Sequence, residues 1–335
     1  MKSRTSKTLT LIPTFLLLLA AGTTGAQAQR NLGRYNHTFS YPNSTYTTGG
    51  VGLRNRRSGG IEISGLPAGA GIRAAYIYWA VITQGAPPAN VGQLKVQRLA
   101  PLNPQSAVLN VRGALVTQVG ITGNVPCEWA AYGDRITVYR GDILAVATGN
   151  GLYKVWPISN AASGNYMGED PWLPGAANSP LWEGASIVMV AEVTAATTVS
   201  IYDGIAGNTF NSNPGVTYQL QLPAMTSAPV LFDEIGADGQ TGMASRNSIL
   251  GMSNERTFVN TGINFQVAGP PAPGQQCNDS DWNGNTATPV TELWDDAGHT
   301  VNVSPNTQFL NILIDNNNTP PGDCLTLVAN VVQQQ

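Results

Sequence analysis

The chain has little charge and almost no histidine. Only 11% of its 335 residues are Asp, Glu, Lys or Arg, against about 25% in an average soluble domain. His37 and His299 are the only histidines. With two histidines and no Cys-x-x-Cys pair, the ligand set of a zinc site is missing. A Ser-His-Asp triad would have to draw on those same two bases, and no G-x-S-x-G turn is present to raise a nucleophilic serine. His299, in Asp296-Ala-Gly-His299, is expected to cap a turn. Cysteine is also scarce and odd in number: Cys127, Cys277 and Cys324. A disulfide between Cys277 and Cys324 would leave Cys127 free, and Cys127–Cys277 is the rival pairing. A buried or disulfide-bonded role for Cys127 is favoured over a nucleophilic one.

Basic residues number 17 against 20 acidic ones. A phosphate backbone needs a basic footprint, so nucleic acid is excluded as an expected partner. Beyond the N-terminus no apolar run approaches the roughly twenty residues of a membrane helix. No amphipathic pattern sustains three helical turns either.

The N-terminus does carry one apolar run. Lys2, Arg4 and Lys7 precede Leu9–Ala21, and Ala26-Gln-Ala28 ends the segment in a small-x-small pattern. This order of charge, apolar core and small residues is that of a secretory signal peptide. Residues 1–28 are therefore expected to be removed, and the chain to be secreted or held at the cell surface. The remaining 29–335 would hold 14 basic and 20 acidic residues, a net charge of −6.

What fills this region is β-prone. Arg73–Thr83 is dense in Ile, Val, Tyr and Trp, types that suit a pleated, half-buried surface. By parity one face carries Ala75, Ile77, Trp79 and Val81, the other Ala74, Tyr76, Tyr78 and Ala80. Neither face is polar, so the strand belongs in the middle of a sheet, covered on both sides or capped by its tyrosine hydroxyls. Gly184–Val193 is a second such run, and Thr198–Gly204 follows it closely enough to suggest a hairpin partner. Shorter strands are expected at 35–41, 61–64, 94–99, 107–119, 136–139, 150–155, 216–222, 230–235, 257–266, 290–294, 300–303, 309–315 and 325–332. Residues 42–60, 157–183 and 269–275 are rich in Gly, Pro, Asn, Ser or Thr and suggest loops. Ile143–Ala147 fits a strand or a helical turn. Many short strands separated by turns, with no fixed repeat, predict an all-β, antiparallel β-sandwich of jelly-roll type, or two such sandwiches packed together. A sub-boundary would fall near 205–215 or 269–275.

Several motifs run in a fixed order: Ala75-Tyr-Ile-Tyr-Trp79, Gly149–Val155, Gly184–Val190, Ile201-Tyr-Asp-Gly204 and Gly322-Asp-Cys-Leu325. In this order the chain resembles an uncharacterised family of secreted bacterial and archaeal β-domains with an A-Y-[LI]-Y-W … Y-D-G pattern, over about residues 70–330. The resemblance implies an extracellular or cell-surface location. It brings no activity and no site residues.

The sharpest local pattern is Asp279-Ser-Asp281-Trp-Asn283-Gly284. Ca²⁺ takes several carboxylate and amide oxygens, and a glycine allows the turn that converges them. Asp279, Asp281 and Asn283 are the expected metal ligands, with Glu292, Asp295 and Asp296 able to complete the shell. The twelfth position is Val290, not the glutamate of an EF-hand, and a plain polar turn is the competing expectation. Paired acids at Asp233-Glu234, at Glu169-Asp170, and at Glu183 and Asp238 could serve a glycosidase. Asp233 and Glu234, being adjacent on a strand, should point to opposite faces. Trp156, Trp172, Trp182 and Trp282 could stack on a sugar or plug the ends of the sandwich. Asn36, Asn43, Asn278, Asn302 and Asn317 stand in glycosylation sequons, relevant only where a host modifies them. The expected function is therefore a non-enzymatic structural, adhesive or binding role, with a glycan or a surface protein as partner and calcium as a stabilising ion. The rival expectation is a secreted carbohydrate-active hydrolase using loop carboxylates.

Overall fold

Among the described residues, the strands pair into four sheets that stack as layers. The structure is a computed structural model, and it describes residues 37–53, 56, 58–100, 106–120, 135–158, 180–204, 216–222, 229–237, 256–262, 276–278, 294–303, 306–315 and 326–334. All of them belong to one unit, Leu32–Gln335. No helix among them is long and apolar enough to cross a membrane.

The second layer contains the two apolar runs. It comprises β2 (Ser44–Gly52), β4 (Ile72–Thr83), β7 (Ala114–Gly120), β8 (Arg135–Asp142) and β10 (Leu181–Glu192), in the order β2-β10-β4-β8-β7. The first layer comprises β3 (Gly59–Ile63), β5 (Gln93–Ala100), β6 (Leu109–Arg112) and β9 (Gly151–Pro157), in the order β3-β9-β5-β6. The third is β1 (His37–Pro42), β11 (Thr198–Asp203), β13 (Pro229–Ala237), β16 (Trp294–Asn302) and β18 (Thr326–Gln334), in the order β1-β11-β18-β13-β16. The fourth is β12 (Val216–Gln221), β14 (Arg256–Gly262), β15 (Gln276–Asn278) and β17 (Phe309–Asp315), in the order β12-β17-β14-β15. Every pairing is antiparallel, from β1 with β11 to β7 with β8. The all-β sandwich expected from the sequence is thus present, in a doubled form.

Strand parity explains the layering. Ala75, Ile77, Trp79 and Val81 of β4 pack into the core shared with the first layer. Ala74, Tyr78, Ala80 and Ile82 pack into the core shared with the third. β10 divides likewise, with Ile187 and Met189 on one side and Val188 and Val190 on the other. A third core, built around Phe232, Tyr218 and Ile312, joins the third and fourth layers. Burying one Val, Leu, Ile or Phe side chain contributes about 1.5–3 kcal/mol, so strands apolar on both faces hold three layers together at once. Trp79 shows how closely the first core fits. Its ring stacks between Tyr139 (centroids 5.5 Å apart) and Trp182 (6.5 Å), and its Nε1–H donates to Val91 O at 2.9 Å. A Cβ at Gly113 would lie 2.4 Å from the Trp79 ring, so only glycine fits there.

Strands β2 to β10 build the first two layers, while β1 and β11 to β18 build the other two. The chain therefore changes sandwich twice, at Asn43 and between Glu192 and Thr198. Asn43 makes its crossing with φ +51°, a left-handed conformation that asparagine adopts more readily than most residues. Both boundary segments expected from the sequence, 205–215 and 269–275, lie outside the described residues.

Three expectations about strands are corrected. Thr198–Asp203 is no hairpin partner of β10, because β2 and β4 already occupy both of β10's edges; it crosses to the third layer and pairs with β1 and β18. The Thr- and Gly-rich segment after Tyr41, expected as a loop, forms β2, which takes its apolar partner surface from β10. Trp294–Asn302 is one continuous strand on the edge of the third layer, so His299 lies within a strand and caps no turn. Ile143–Ala147 closes a helical turn, with Ala147 N–H donating to Ile143 O at 3.0 Å.

Candidate functional site

The outer face of the first layer turns away from the core. Leu94 and Val96 of β5, Tyr153 and Val155 of β9, Val111 of β6 and Ile61 and Ile63 of β3 all point inward. Alternation then sends Lys95, Gln97, Lys154, Trp156, Asn110 and Arg112 outward. Cross-strand register sets them in rows. Lys95 lies opposite both Asn110 and Trp156, and Gln97 lies opposite Lys154. Lys154, Asn110 and Arg112 are exposed, and Trp156, Lys95 and Gln97 are half-buried. The Lys154 ammonium sits 5.4 Å from the Trp156 ring centroid, within cation–π range. The result is a strip with one indole, three cations and amide groups, with Glu62 of β3 the acid on the same face. Such a surface can stack a sugar ring, hydrogen-bond its hydroxyls and attract its acid groups.

The remaining ionisable groups lie between layers. Asp203, at the end of β11, is fully buried. It accepts a hydrogen bond from the Tyr78 hydroxyl at 2.8 Å and pairs with Arg140 of β8. The guanidinium also covers the Phe39 ring, 4.4 Å from its centroid. Burial and the Asp203 charge hold the Tyr78 hydroxyl far above its usual pKa. Burial works against the Arg140 charge, but Asp203 outweighs it and raises the guanidinium's pKa.

Asp233 and Glu234 point to opposite faces of the third layer, as adjacency on a strand requires. Glu234 faces the fourth layer, where Tyr218 and Thr257 (3.0 Å) donate their hydroxyls to it. His299 Nε2 lies 4.0 Å from Glu234 Oε2, beside the Phe232 ring. An ion pair at that distance would favour the charged imidazole. Burial prevails and lowers its pKa to about 4. Asp233 faces the second layer and accepts from Thr48 Oγ1 at 2.8 Å. Asp296, a diagonal neighbour on β16, faces the same space. Burial raises the pKa of both, and the Asp233 charge raises that of Asp296 further.

The sequence-predicted residues divide as follows. Asp279, Asp281 and Asn283, with Glu292, lie outside the described residues, as do Glu169, Asp170, Asp238, Cys127, Cys324, Trp172 and Trp282. Trp182 is fully buried and fills the first core. Trp156 alone of the described loop-flanking tryptophans reaches the surface. Glu183 is buried, at the irregularity where β10 shifts register against β4. Among the described residues no three His, Cys, Asp or Glu side chains gather as a metal cluster. The outward row of Lys95, Lys154 and Arg112 escaped sequence analysis. Alternation within β5 and β9 was the available signal, but nothing local shows that the two strands are neighbours.

No family model matches this chain. No curated protein matches it either. Among solved structures, a peptide-N(4)-(N-acetyl-β-D-glucosaminyl) asparagine amidase is similar at 13% identity and a TM-score of 0.27, over 89% of this chain and 96% of that one. PNGase F, a glycosylasparaginase from Flavobacterium meningosepticum, is similar at 13% identity and a TM-score of 0.23, over 90% and 96%. PBCV-1 VP54, fitted into a reconstruction of the virophage Sputnik, is similar at 7% identity and a TM-score of 0.23, over 90% and 94%. TM-scores this low establish neither a shared fold nor a shared activity.

Proposed function

We propose that this chain is a secreted or cell-surface, non-enzymatic binding protein that holds an acidic polysaccharide against the outer face of its first layer. One observation carries this: Trp156 stands on that face among Lys95, Lys154 and Arg112, in a chain whose net charge is −3. The strip is a local reversal of charge, and it includes the stacking surface that a sugar requires. Amide groups of Asn110 and Gln97 suit sugar hydroxyls. An adhesive or structural role follows from many such contacts made along one polymer, with calcium as a stabilising ion.

Affinity electrophoresis through gels containing a polyuronate, a sulfated glycan or a neutral glucan tests the proposal. Retardation by an acidic polymer, lost in Trp156→Ala, supports it. Equal mobility in all gels overturns it. Release of reducing ends, abolished by replacing Glu169 or Asp170, would instead support the hydrolase alternative.

A further inference from the structure

Four strands from two layers send oxygen-bearing side chains into the same enclosed space, with the Tyr46 hydroxyl of β2 beside them. Thr48 comes from β2 and Ser186 from β10. Asp233 comes from β13 and Asp296 from β16. Thr48 and Ser186 are diagonal neighbours on paired strands, because Thr48 faces Val188 and Ser186 faces Gly50. Asp233 and Asp296 are diagonal neighbours too, because Asp233 faces Gly298 and Asp296 faces Ile235. Two hydroxyls therefore oppose two carboxylates across the gap between sheets. Gly298 is part of the construction: a Cβ there would lie 2.8 Å from Asp233 Oδ1.

The polar bonds within this space are incomplete. Asp233 accepts from Thr48 through Oδ2 and from the Tyr46 hydroxyl, and Ser186 Oγ accepts from Trp294 Nε1 at 2.8 Å. Both oxygens of Asp296 are buried and lack a partner at full hydrogen-bond geometry, and the Thr48 and Ser186 hydroxyls that stand beside them favour its charged form. Asp296 and Asp233 make no direct hydrogen bond to each other, and the Asp233 charge is felt by Asp296 as repulsion. The ion pairs Arg73–Glu192, Arg140–Asp203 and His299–Glu234 include neither of them. An unpaired buried carboxylate is costly, and natural interiors satisfy such groups with a partner or a metal. Carboxylates and hydroxyls, with no nitrogen or sulfur among them, are the ligands of a hard cation.

We propose that Asp233, Asp296, Thr48 and Ser186 form a calcium site that ties the second layer to the third. The site uses none of the loop residues Asp279, Asp281 and Asn283 and none of the residues of the polysaccharide face. The Trp294 indole, bonded to Ser186, stands beside the bound ion and reports on it.

The test uses the full chain, first stripped with chelator, then titrated with Ca²⁺ while thermal unfolding is followed. Tb³⁺ serves as a second probe, because an indole near the ion sensitises its emission. A Ca²⁺-dependent rise in Tm is expected, retained in an Asp279→Asn/Asp281→Asn double variant and lost in Asp296→Asn. Asp296→Asn keeps the shape of the side chain and removes its repulsion with Asp233, so it should fold and melt no lower than the metal-free wild type. Terbium emission excited selectively through tryptophan should fall in Trp294→Phe while the Ca²⁺-dependent rise in Tm persists. Identical melting with and without Ca²⁺ would falsify the site. A rise in Tm that survives Asp296→Asn and disappears with the loop variant would assign the ion to the loop and overturn the proposal equally.

Discussion

Thr197 and Ser44 bond to each other in both directions. The Thr197 hydroxyl donates to Ser44 O at 2.6 Å, and Ser44 N–H donates to Thr197 O at 3.2 Å. These residues sit at the two points where the chain passes between its sandwiches. Val193 N–H, donating to Asn43 O at 2.9 Å, closes the same junction. The two crossings are thus one structural unit. Thr197→Val keeps the shape and removes the donor, leaving a buried carbonyl short of a partner. The expected loss is about 1–3 kcal/mol, read from the midpoint of urea unfolding with an unchanged slope. A loss under half that would mean the backbone bonds alone hold the junction.

The Asp203 carboxylate links β11 to Arg140 and Tyr78 of the second layer. Asp203→Asn would leave the Arg140 guanidinium largely buried without its counter-charge. Stability should fall by about 3–5 kcal/mol, towards the lower figure because the Arg140 side chain keeps 15% of its exposure. Tyr78→Phe removes one hydrogen bond and leaves the ion pair intact, so about 1 kcal/mol is expected. Urea denaturation of the two variants side by side ranks them, and equal losses would contradict this account.

His299 gives stability a pH dependence of known sign. Its pKa is about 4 in the folded chain against an ordinary value of 6.5. Between these values the unfolded chain binds the proton and the folded chain does not. The histidine's contribution is therefore full above about pH 6.5, declines as pH falls, and levels off near 4. The total is about 3 kcal/mol. Buried carboxylates with raised pKa values act in the opposite direction, so the comparison is between wild type and His299→Gln. The wild type should lose ground to the variant steadily from pH 7 to pH 4, and a constant difference would contradict the buried neutral imidazole.

Binding at the outer face should depend on salt. Lys95, Lys154 and Arg112 attract an anionic polymer through charges screened over about 10 Å at 0.1 M salt and 3 Å at 1 M. Retardation by an acidic polysaccharide should weaken steeply across that range. Lys154→Glu should reduce it at low salt more than at high salt, whereas Trp156→Ala should reduce it at both. Affinity electrophoresis at two ionic strengths separates these effects.

Local pattern alone determined that this is a β protein, that Arg73–Thr83 and Gly184–Val193 are interior strands, that Trp79 is core, and that Asp233 and Glu234 point apart. All of these depend on parity along one strand, which is a property of neighbouring residues. Tertiary structure decided which strands share a sheet and what covers each face. Trp156 and Trp182 flank the same long segment, yet one lies on the outer face of the first layer and the other in its core. The polar segment Ser44–Gly52 becomes a strand because β10 offers it an open edge. Thr48 and Asp296 meet although almost 250 residues separate them. Such meetings follow from the order of strands and the stacking of layers, and no spacing within the chain encodes them.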